Sequence, residues 1–417
     1  MNRLIVSFAH TDYQYYTFGT EKFMRNLDVL LINEKINHLN FFGFNKIGKI
    51  FPYIGVNFNG NFQGIVHKKK IECIVKEYET ELNFCIEKIY LQHLLNWDIK
   101  LVAKLIQKKK VPVIIFLHDY YFECVRFNLI NGKNEFCGEE KPSETKCKNC
   151  KYWRKEKKHI QKINNFANAV DINVESFIAP SETVKRIFVN AFPKMGERII
   201  IRPHLIVVGQ KKYAPIRDRL IIGYHGNQDE KKGYQEWKKI VERFVVYYDF
   251  KYLGIGDKKM IGVKSVFVST ALQGNEAMVN AIKKEKISIA FMWSKCPETY
   301  SYVYFELLQN GVFVVTFKDS GNIAALVDKN NNGKVFDTLE ECIDWLSNPD
   351  EVLRCVNEYR CRDGLKPERI INNPNAKDLF AIRHNYNDAQ NNIIADKNKS
   401  IKYNMMFTAL YKKVLKN

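Results

Sequence analysis

The feature that most constrains the fold of this chain is a repeated alternation of short apolar runs with amphipathic stretches. In the first half, apolar runs such as RLIVSF (3–8) and VPVIIFLHD (111–119) alternate with helical patterns such as IKLVAKLIQKKK (99–110). The alternation restarts with RLIIGYHG (219–226) and continues through the second half. Uninterrupted apolar strands are typical of parallel sheets that are covered on both faces. The sequence predicts an α/β protein with two doubly wound, Rossmann-like domains.

The chain is long enough for two such domains, because its 417 residues exceed the size at which a single core stops growing. We predict a first domain at 1–205, with a cysteine-bearing insertion at about 120–158, and a second domain at 206–390. The stretch 203–218 is typical of a linker. Residues 391–417 are basic and amphipathic, and we expect a terminal helix that packs back on the first domain. Doubly wound sheets bind ligands at the carboxyl ends of their strands, so a central cleft between facing domains is the predicted site.

The formal net charge of +19 predicts an anionic partner, such as a phosphorylated ligand, an acidic membrane surface or nucleic acid. The runs Lys68–Lys70 and Lys108–Lys110 and the cationic stretch 148–158 lie in the predicted first domain, although each run alone is also typical of a solvated helix face. No apolar run approaches the roughly 18 residues of a membrane span, and the N-terminal apolar stretch is too short for a signal peptide. We expect a cytoplasmic protein that can contact the inner membrane face peripherally.

The stretch CPETYSYVYFELLQNGVFVVTFKDSG (296–321) has the pattern of a ligand site. It follows an apolar strand, and a helix is predicted from about Ser301 to Asn310. Gly311 suits the left-handed residue that follows a helix. The backbone N–H groups near Tyr302 and Val303 would have no partner inside the helix, so they could bind an anion such as a diphosphate.

Two glutamates, Glu298 and Glu306, flank this predicted anion site and are separated by seven residues. A carboxylate can accept hydrogen bonds from two neighbouring hydroxyl groups, which suits sugars. The arrangement therefore predicts a nucleoside diphosphate sugar, with the phosphates on the helix end and one glutamate on each flanking sugar. The alternative interpretation is that both glutamates are solvated charges favoured by the helix dipole.

The same stretch resembles the signature of the retaining, two-domain (GT-B) glycosyltransferases, especially glycosyltransferase family four. In that family a Glu–x7–Glu pair precedes a small-residue turn and an apolar strand, as in ETYSYVYFE (298–306) and ELLQNGVFVV (306–315) here. Other segments are similar to family motifs in the same order and span most of the chain; they are FGTEKFMRNLDVLL (18–31), VIIFLHDYYFECV (113–125), FIAPSETVKRIF (177–188) and IIGYHGNQDEKKGYQEW (221–237). The resemblance implies two facing Rossmann-like domains, with a nucleotide-sugar donor bound by the second.

The resemblance also implies roles for the residues at matching positions. Glu298 would contact the donor sugar near its anomeric carbon, and Glu306 would hold the ribose. His118, which follows a predicted strand, would contact the donor sugar from the first domain. His93 also lies near a predicted strand end, but we expect it to be a core residue.

The opening of the second domain supplies the remaining donor-binding candidates, which are Gly226, Asn227, Lys232 and Gly233. Lys232 matches the lysine that the family places on the diphosphate. Asn227 stands where the family has an arginine, so Lys232 would carry more of the charge. On the acceptor side, Gly19 and Thr20 match the family's first glycine-rich loop.

Catalysis with retention needs no protein base, because the leaving phosphate can take the acceptor's proton while Lys232 and helix amides stabilise its charge. The chain has no Asp-x-Asp motif, which normally holds a metal on the diphosphate in the other large glycosyltransferase fold. We therefore expect no catalytic metal and no cofactor beyond the donor, a UDP- or GDP-sugar.

Four of the ten cysteines are grouped, at Cys124, Cys137, Cys147 and Cys150. The last two form a Cys-x2-Cys pair, which is common in zinc sites, and four thiolates complete a tetrahedral structural site. The spacing is not that of a standard zinc finger, so reduced cysteines packed in an insertion, or disulfides, stay open as alternatives. The adjoining basic and aromatic segment, KYWRKEKKHIQK (151–162), suits a membrane surface or an acidic acceptor better than nucleic acid.

We interpret the chain as a retaining enzyme of the hexosyltransferase type. It would act on a glycan or lipid-linked acceptor in surface polysaccharide or glycoconjugate biosynthesis. A second hypothesis is a non-catalytic relative that binds a glycan or a protein partner, motivated by Asn227 and by Ala324 or Ala325 where the family has a later glutamate. A third hypothesis, a nucleic-acid-binding protein, is disfavoured because the chain has no segregated basic domain and no known recognition motif. We expect no nucleic-acid partner.

Overall fold

The structure is a computed structural model that describes residues 2–44, 52–363, 366–380 and 403–416. The strands of its first sheet are β1 (Asn2–Ala9), β2 (Asn37–Phe42), β3 (Tyr53–Phe58), β4 (Asn61–His67), β5 (Phe84–Leu91), β6 (Val113–Phe116), β7 (Val174–Ala179) and β8 (Ile199–Ile201). The helices that accompany them are α1 (Gly19–Asn33), α2 (Ile71–Thr80), α3 (Ile99–Lys109), α4 (Glu144–Cys147), α5 (Trp153–Val170) and α6 (Glu182–Ala191).

The first sheet is mostly parallel and has the strand order β4-β3-β2-β1-β5-β6-β7-β8. β1 pairs in parallel with both β2 and β5, so the topology switches direction at β1. Alternate residues of β1 enter two different cores: Leu4, Val6 and Phe8 pack in one, and Ile5 and Ala9 in the other. Because both faces are covered, the strands are apolar without alternation, as the sequence indicated.

The second sheet begins after a short strand, β9 (Leu205–Val208). Its own strands are β10 (Ile221–His225), β11 (Asp249–Gly254), β12 (Val263–Phe267), β13 (Ile289–Met292), β14 (Phe313–Phe317) and β15 (Gly333–Phe336). The helices are α7 (Tyr234–Phe244), α8 (Thr270–Gln273), α9 (Ala277–Lys284), α10 (Tyr302–Leu308), α11 (Asn322–Asn330), α12 (Leu339–Leu346) and α13 (Pro349–Cys361). They are followed by β16 (Arg369–Asn372) and α14 (Met405–Lys416).

The second sheet is entirely parallel and has the order β12-β11-β10-β13-β14-β15. This is the doubly wound order of dinucleotide-binding folds, in which the first strands of the two halves lie side by side at the centre of the sheet. The switch point lies between β10 and β13. The predicted donor residues Lys232 and Glu298 follow these two strands, so the topology brings both to the position where such sheets bind ligands.

The chain crosses between the two sheets at β9 and β16, which pair antiparallel as a separate two-stranded sheet. β9 lies inside the segment that the sequence predicted as a linker. Beyond β16 the chain returns to the first domain, where Leu379 and Phe380 are buried in its core. The helix α14 also packs there, because the N–H of Asn404 donates to the carbonyl of Ile65 at 2.7 Å. Residues 391–402 of the predicted terminal segment lie outside the described residues.

The hairpin of β3 and β4 is not among the elements predicted from the sequence. Its turn is formed by Asn59 (φ 48°) and Gly60 (φ 76°), and two consecutive positive φ angles define the turn that Asn-Gly favours. The Asn-Gly pair between two apolar runs could have predicted it. Among the helices in the described ranges, none combines the length and apolar character needed to cross a bilayer.

Candidate active site

The loop between β13 and α10 carries Glu298 to the switch point of the second sheet. The backbone N–H of Glu298 donates to the carbonyl of Ser320 at 3.3 Å, and its carbonyl accepts from Asn322 at 2.9 Å. Ser294 Oγ donates to Glu298 Oε1 at 2.7 Å. The Glu298 side chain is 13% exposed. Backbone and side-chain contacts therefore fix the position of this carboxylate.

Lys232 meets Glu298 from the neighbouring strand end. It ends the 3₁₀ segment that follows β10, and its Nζ forms an ion pair with Glu298 Oε1. Gly233 makes this approach possible, because it has φ 78° and a Cβ there would lie 2.4 Å from the carbonyl oxygen of Trp293. Desolvation opposes the charge of the ammonium, but attraction to Glu298 outweighs it and raises the pKa of Lys232. Lys232 is therefore a cation at neutral pH.

Helix α10 forms where the sequence predicted it, although it ends at Leu308, before the predicted end at Asn310. Ser301 is its N-cap, and its Oγ accepts a hydrogen bond from the N–H of Tyr304 at 3.2 Å. Gly311 has φ 63°, which confirms the left-handed residue after the helix. Tyr302 and Val303 occupy the first turn.

Glu306 has different partners from Glu298. It faces α1 of the first domain, where Lys22 Nζ lies 3.5 Å from its Oε1 and 4.5 Å from the centroid of the Tyr302 ring. Desolvation raises the pKa of Glu306, and Lys22 acts in the opposite direction. The Glu306 side chain is 12% exposed. The carboxylate of Glu306 is therefore paired with a lysine from the other domain.

Two hydrogen bonds hold the Glu298 loop against the first domain. Thr299 Oγ1 donates to the carbonyl of His118 at 2.7 Å, and Ser181 Oγ donates to the carbonyl of Thr299 at 2.9 Å. Ser181 also caps α6, by accepting from the N–H of Val184. The structure thus brings the strand end of His118 into contact with the loop of Glu298.

The imidazole of His118 is held by a neighbouring amide. Its Nε2 lies 2.9 Å from Gln92 Oε1. Burial lowers the pKa of His118 well below its ordinary value, and nearby histidines lower it further, with His204 contributing most among them. His118 is therefore neutral at physiological pH, and it suits hydrogen bonding to a polar ligand better than charge neutralisation of a phosphate.

A polar cluster that was not predicted from the sequence lies beside His118. His10 follows β1; its ring centroid lies 4.6 Å from that of His93, and its Nε2 lies 3.5 Å from Glu21 Oε1. Burial, with a smaller contribution from His93, lowers the pKa of His10 to about 3. His93 is buried, as expected of a core residue, but it also hydrogen-bonds Asp119 at 2.7 Å. The position of His10 directly after a parallel strand was the signal that could have found it.

Three buried polar atoms of this cluster have no hydrogen-bond partner among the described residues. They are Nδ1 of His10, Oε2 of Glu21 and Nε2 of Gln92. Buried polar groups without partners are uncommon in folded proteins, and a bound polar molecule is one explanation for them. An amide donor beside carboxylate and imidazole groups can bind the hydroxyl groups of a sugar.

The remaining candidates lie on the loop after β10 and at the start of α1. Gly226 has φ 90° and open space where a Cβ would stand. Asn227 is exposed on the loop that leads to Lys232. Gly19 begins α1, followed by Thr20 in its first turn, and a Cβ on Gly19 would lie 3.9 Å from the Tyr302 ring. The start of α1 therefore lies close to the start of α10.

The four grouped cysteines line one cavity of about 640 Å³, together with Glu156 and Lys146 among other residues. All four are free thiols in the structure, and no disulfide joins them. Burial raises the pKa of Cys137 to about 11 and also raises that of Cys147. Within the described ranges, no group of three or more His, Cys, Asp or Glu side chains is arranged to hold a metal ion. The structure thus shows four free thiols around this cavity, and zinc binding by the insertion stays a prediction.

Comparisons with known proteins were made at three levels. No protein-family model matches the chain, and no curated protein sequence matches it. Solved structures do match. HepE from Anabaena, solved in complex with UDP-glucose, has a TM-score of 0.53 and 14% identity over 86% of this chain and 92% of its own.

Two further solved structures agree with this match. Sucrose-phosphate synthase from Thermosynechococcus elongatus has a TM-score of 0.53 and 11% identity, over 86% of this chain and 93% of its own. The lipopolysaccharide outer core galactosyltransferase WaaB has a TM-score of 0.50 and 9% identity, over 85% of this chain and 95% of its own. At such low identities the likeness concerns the fold. The chain has the α/β fold of the GT-B glycosyltransferase structures, with one mostly parallel sheet and one entirely parallel sheet.

Proposed function

We propose that the protein is a glycosyltransferase that moves a sugar from a nucleoside diphosphate donor to an acceptor hydroxyl group. The observation that carries the proposal is the Lys232–Glu298 pair at the switch point of the second sheet, held against the strand end of His118. A cation and a fixed carboxylate at adjacent strand ends suit a diphosphate joined to a hydroxyl-bearing sugar. The polar cluster of His10, Glu21 and Gln92 suits a second hydroxyl-bearing ligand.

The structural relatives support the choice of donor. HepE was solved with UDP-glucose and also with UDP and glucose, and WaaB is described as a galactosyltransferase. We propose a UDP-sugar as the donor and treat a GDP-sugar as the alternative. The family-four resemblance further supports a retaining hexosyltransferase, although the comparisons concern the fold alone.

In this proposal Lys232 and the amides of Tyr302 and Val303 bind the diphosphate, and Gly226, Asn227 and Gly233 shape the loop around it. Glu298 contacts the donor sugar near its anomeric carbon, Glu306 contacts the ribose, and His118 contacts the sugar from the first domain. Gly19 and Thr20 lie on the acceptor side. Lys232 stabilises the charge of the leaving diphosphate, which takes the proton of the acceptor hydroxyl, so the step needs neither a protein base nor a catalytic metal.

We further propose that the acceptor is a glycan or a lipid-linked intermediate, and that the protein works at the inner face of a membrane. The charge of +19 supports an anionic surface as a partner. In the run Lys108–Lys110 two of the three lysines already have carboxylate partners, because Lys108 pairs with Glu72 and Lys109 with Glu79. A basic surface that docks on a membrane must therefore include other lysines.

The test is a thermal-shift screen of UDP, GDP and their sugars, followed by assays of donor hydrolysis and of sugar transfer. We expect UDP or a UDP-sugar to raise the melting temperature, and this shift to shrink in Lys232→Met, because the lysine binds the diphosphate. Binding without hydrolysis or transfer would favour a non-catalytic relative, which Asn227 in the place of an arginine would then explain. No shift with any nucleotide would overturn the proposal.

A further inference from the structure

A groove on the first domain combines lysine side chains with an apolar floor. It lies between the parallel helices α3 and α5 and has a volume of about 510 Å³. Four lysines and one aspartate line it, and the apolar part of its lining includes Ile99, Ala103 and Phe166. We refer to it below as the lysine groove; its lysines are Lys100, Lys104, Lys158 and Lys162.

The lysines of this groove differ from Lys108 and Lys109 of the second predicted run. Lys100, Lys104 and Lys158 are exposed, and in the described part of the chain no carboxylate lies within ion-pair distance of them. On the same helix α3, Lys108 and Lys109 point to α2 and are neutralised by its glutamates. The free positive charge of α3 is therefore concentrated on the side that faces α5.

The position of the groove relates it to the candidate active site. At one end, Gln107 Nε2 donates to the carbonyl of Ala169 at 2.9 Å and joins the two helices. At the other end, Lys162 Nζ lies 3.5 Å from the carbonyl of Trp97, and Trp97 Nε1 donates to the carbonyl of Ala9 at 2.8 Å. Ala9 is the last residue of β1 and precedes His10. Two hydrogen bonds through Trp97 therefore connect one end of the groove to the strand end that precedes His10.

We propose that the lysine groove docks the protein on an anionic lipid bilayer, with lipid headgroup phosphates between the lysines of α3 and α5. Charge complementarity supports this occupant, because several uncompensated ammonium groups lie in one concave surface and each lysine near an anionic membrane adds to binding. An apolar floor suits the glycerol and upper acyl region of a lipid better than the uniformly polar backbone of a nucleic acid.

This docking rests on the proposed function, because its role would be to bring a lipid-linked acceptor close to the site beside His10. Vesicle binding itself needs neither donor nor acceptor. Its outcome is therefore independent of the nucleotide screen, and failure of one would not imply failure of the other.

The experiment compares two double charge reversals of the full chain. Lys104→Glu with Lys158→Glu changes the lysine groove. The matched control, Lys239→Glu with Lys284→Glu, changes the net charge equally at exposed sites of the second domain. Flotation with phosphatidylcholine vesicles containing about a third phosphatidylglycerol should show binding by the wild type that weakens as salt rises. We expect the groove variant to lose at least about tenfold in affinity, equivalent to about 1.4 kcal/mol, and the control to lose much less.

Other results would contradict the proposal. Equal losses in both variants would mean that binding depends on total charge rather than on the groove. Absence of binding at low salt, or equal binding to neutral vesicles, would also overturn it. Displacement from vesicles by inorganic phosphate would indicate a site for free phosphate, and groove-dependent binding to an oligonucleotide without vesicle binding would indicate a nucleic-acid surface. Melting temperatures of both variants close to that of the wild type would show that a loss of vesicle binding does not come from unfolding.

Discussion

Replacing Glu298 by glutamine should separate donor binding from turnover. The substitution keeps the size of the side chain and its hydrogen bond from Ser294, which is 2.7 Å long. It removes the charge that pairs with Lys232. In the free protein this pair occupies the cation that we assign to the diphosphate, so Glu298→Gln should leave Lys232 more available to UDP.

The expected magnitudes follow from the exposure of the pair. The Lys232 side chain is 46% exposed, and an ion pair with a partner this accessible contributes about 0.2–1 kcal/mol. Release of Lys232 should therefore tighten UDP binding by no more than about fivefold. Transfer should fall by at least about a hundredfold, the loss typical of removing one group that stabilises a transition state.

The assay is isothermal titration with UDP together with steady-state sugar transfer. The matched control is Glu236→Gln, because Glu236 also pairs with a lysine near the site, Lys295 at 2.6 Å, and has a side chain that is 15% exposed. The control should leave both measurements nearly unchanged. A Glu298→Gln protein with transfer close to wild type, or with UDP binding weakened by more than about tenfold, would refute the reasoning.

Three other predictions concern the cleft and the metal question. Desolvation raises the pKa of Glu306 in the folded state above its ordinary value of 4.5. The free energy of unfolding, measured relative to Glu306→Gln, should therefore be greatest at low pH and fall as pH rises through and above that value. Chemical denaturation across pH measures this difference, and an increase of the difference with pH would contradict the prediction. Thr299→Val should slow transfer, because it removes the 2.7 Å hydrogen bond to the carbonyl of His118. The expected rise in the activation free energy is about 0.5–1.5 kcal/mol. Thr316→Val, which loses a 2.7 Å bond inside the second sheet, should affect stability alone, and equal kinetic losses would argue against a role of the cross-cleft bond. Transfer should continue in excess EDTA, because Lys232 rather than a metal neutralises the diphosphate charge. A loss of transfer that Mg²⁺ restores would contradict this prediction. Near-stoichiometric zinc in the purified protein would instead show that the cysteines bind metal.

The sequence by itself determined the architecture and several local geometries. Continuous apolar runs occur only where both faces of a strand are covered, so their alternation with helical patterns predicted two doubly wound domains. Capping signals are equally local: Ser181 and Ser301 lie at helix starts because a hydroxyl can satisfy a free amide. Gly311 has a positive φ that glycine adopts without steric cost. The placement of Lys232 and Glu298 after strands also followed from the pattern.

Only the tertiary structure decided which of these groups meet. The contacts of Glu306 with Lys22 and of Thr299 with His118 join residues of different domains, separated in the second case by 181 positions. No local pattern encodes such contacts, because they depend on how the two sheets face each other across the pairing of β9 and β16. The same holds for the lysine groove: the sequence shows many lysines, but only the packing of α3 on its neighbours separates those neutralised by glutamates from those left free. Charge and spacing are properties of the chain, whereas partners and desolvation are properties of the folded molecule.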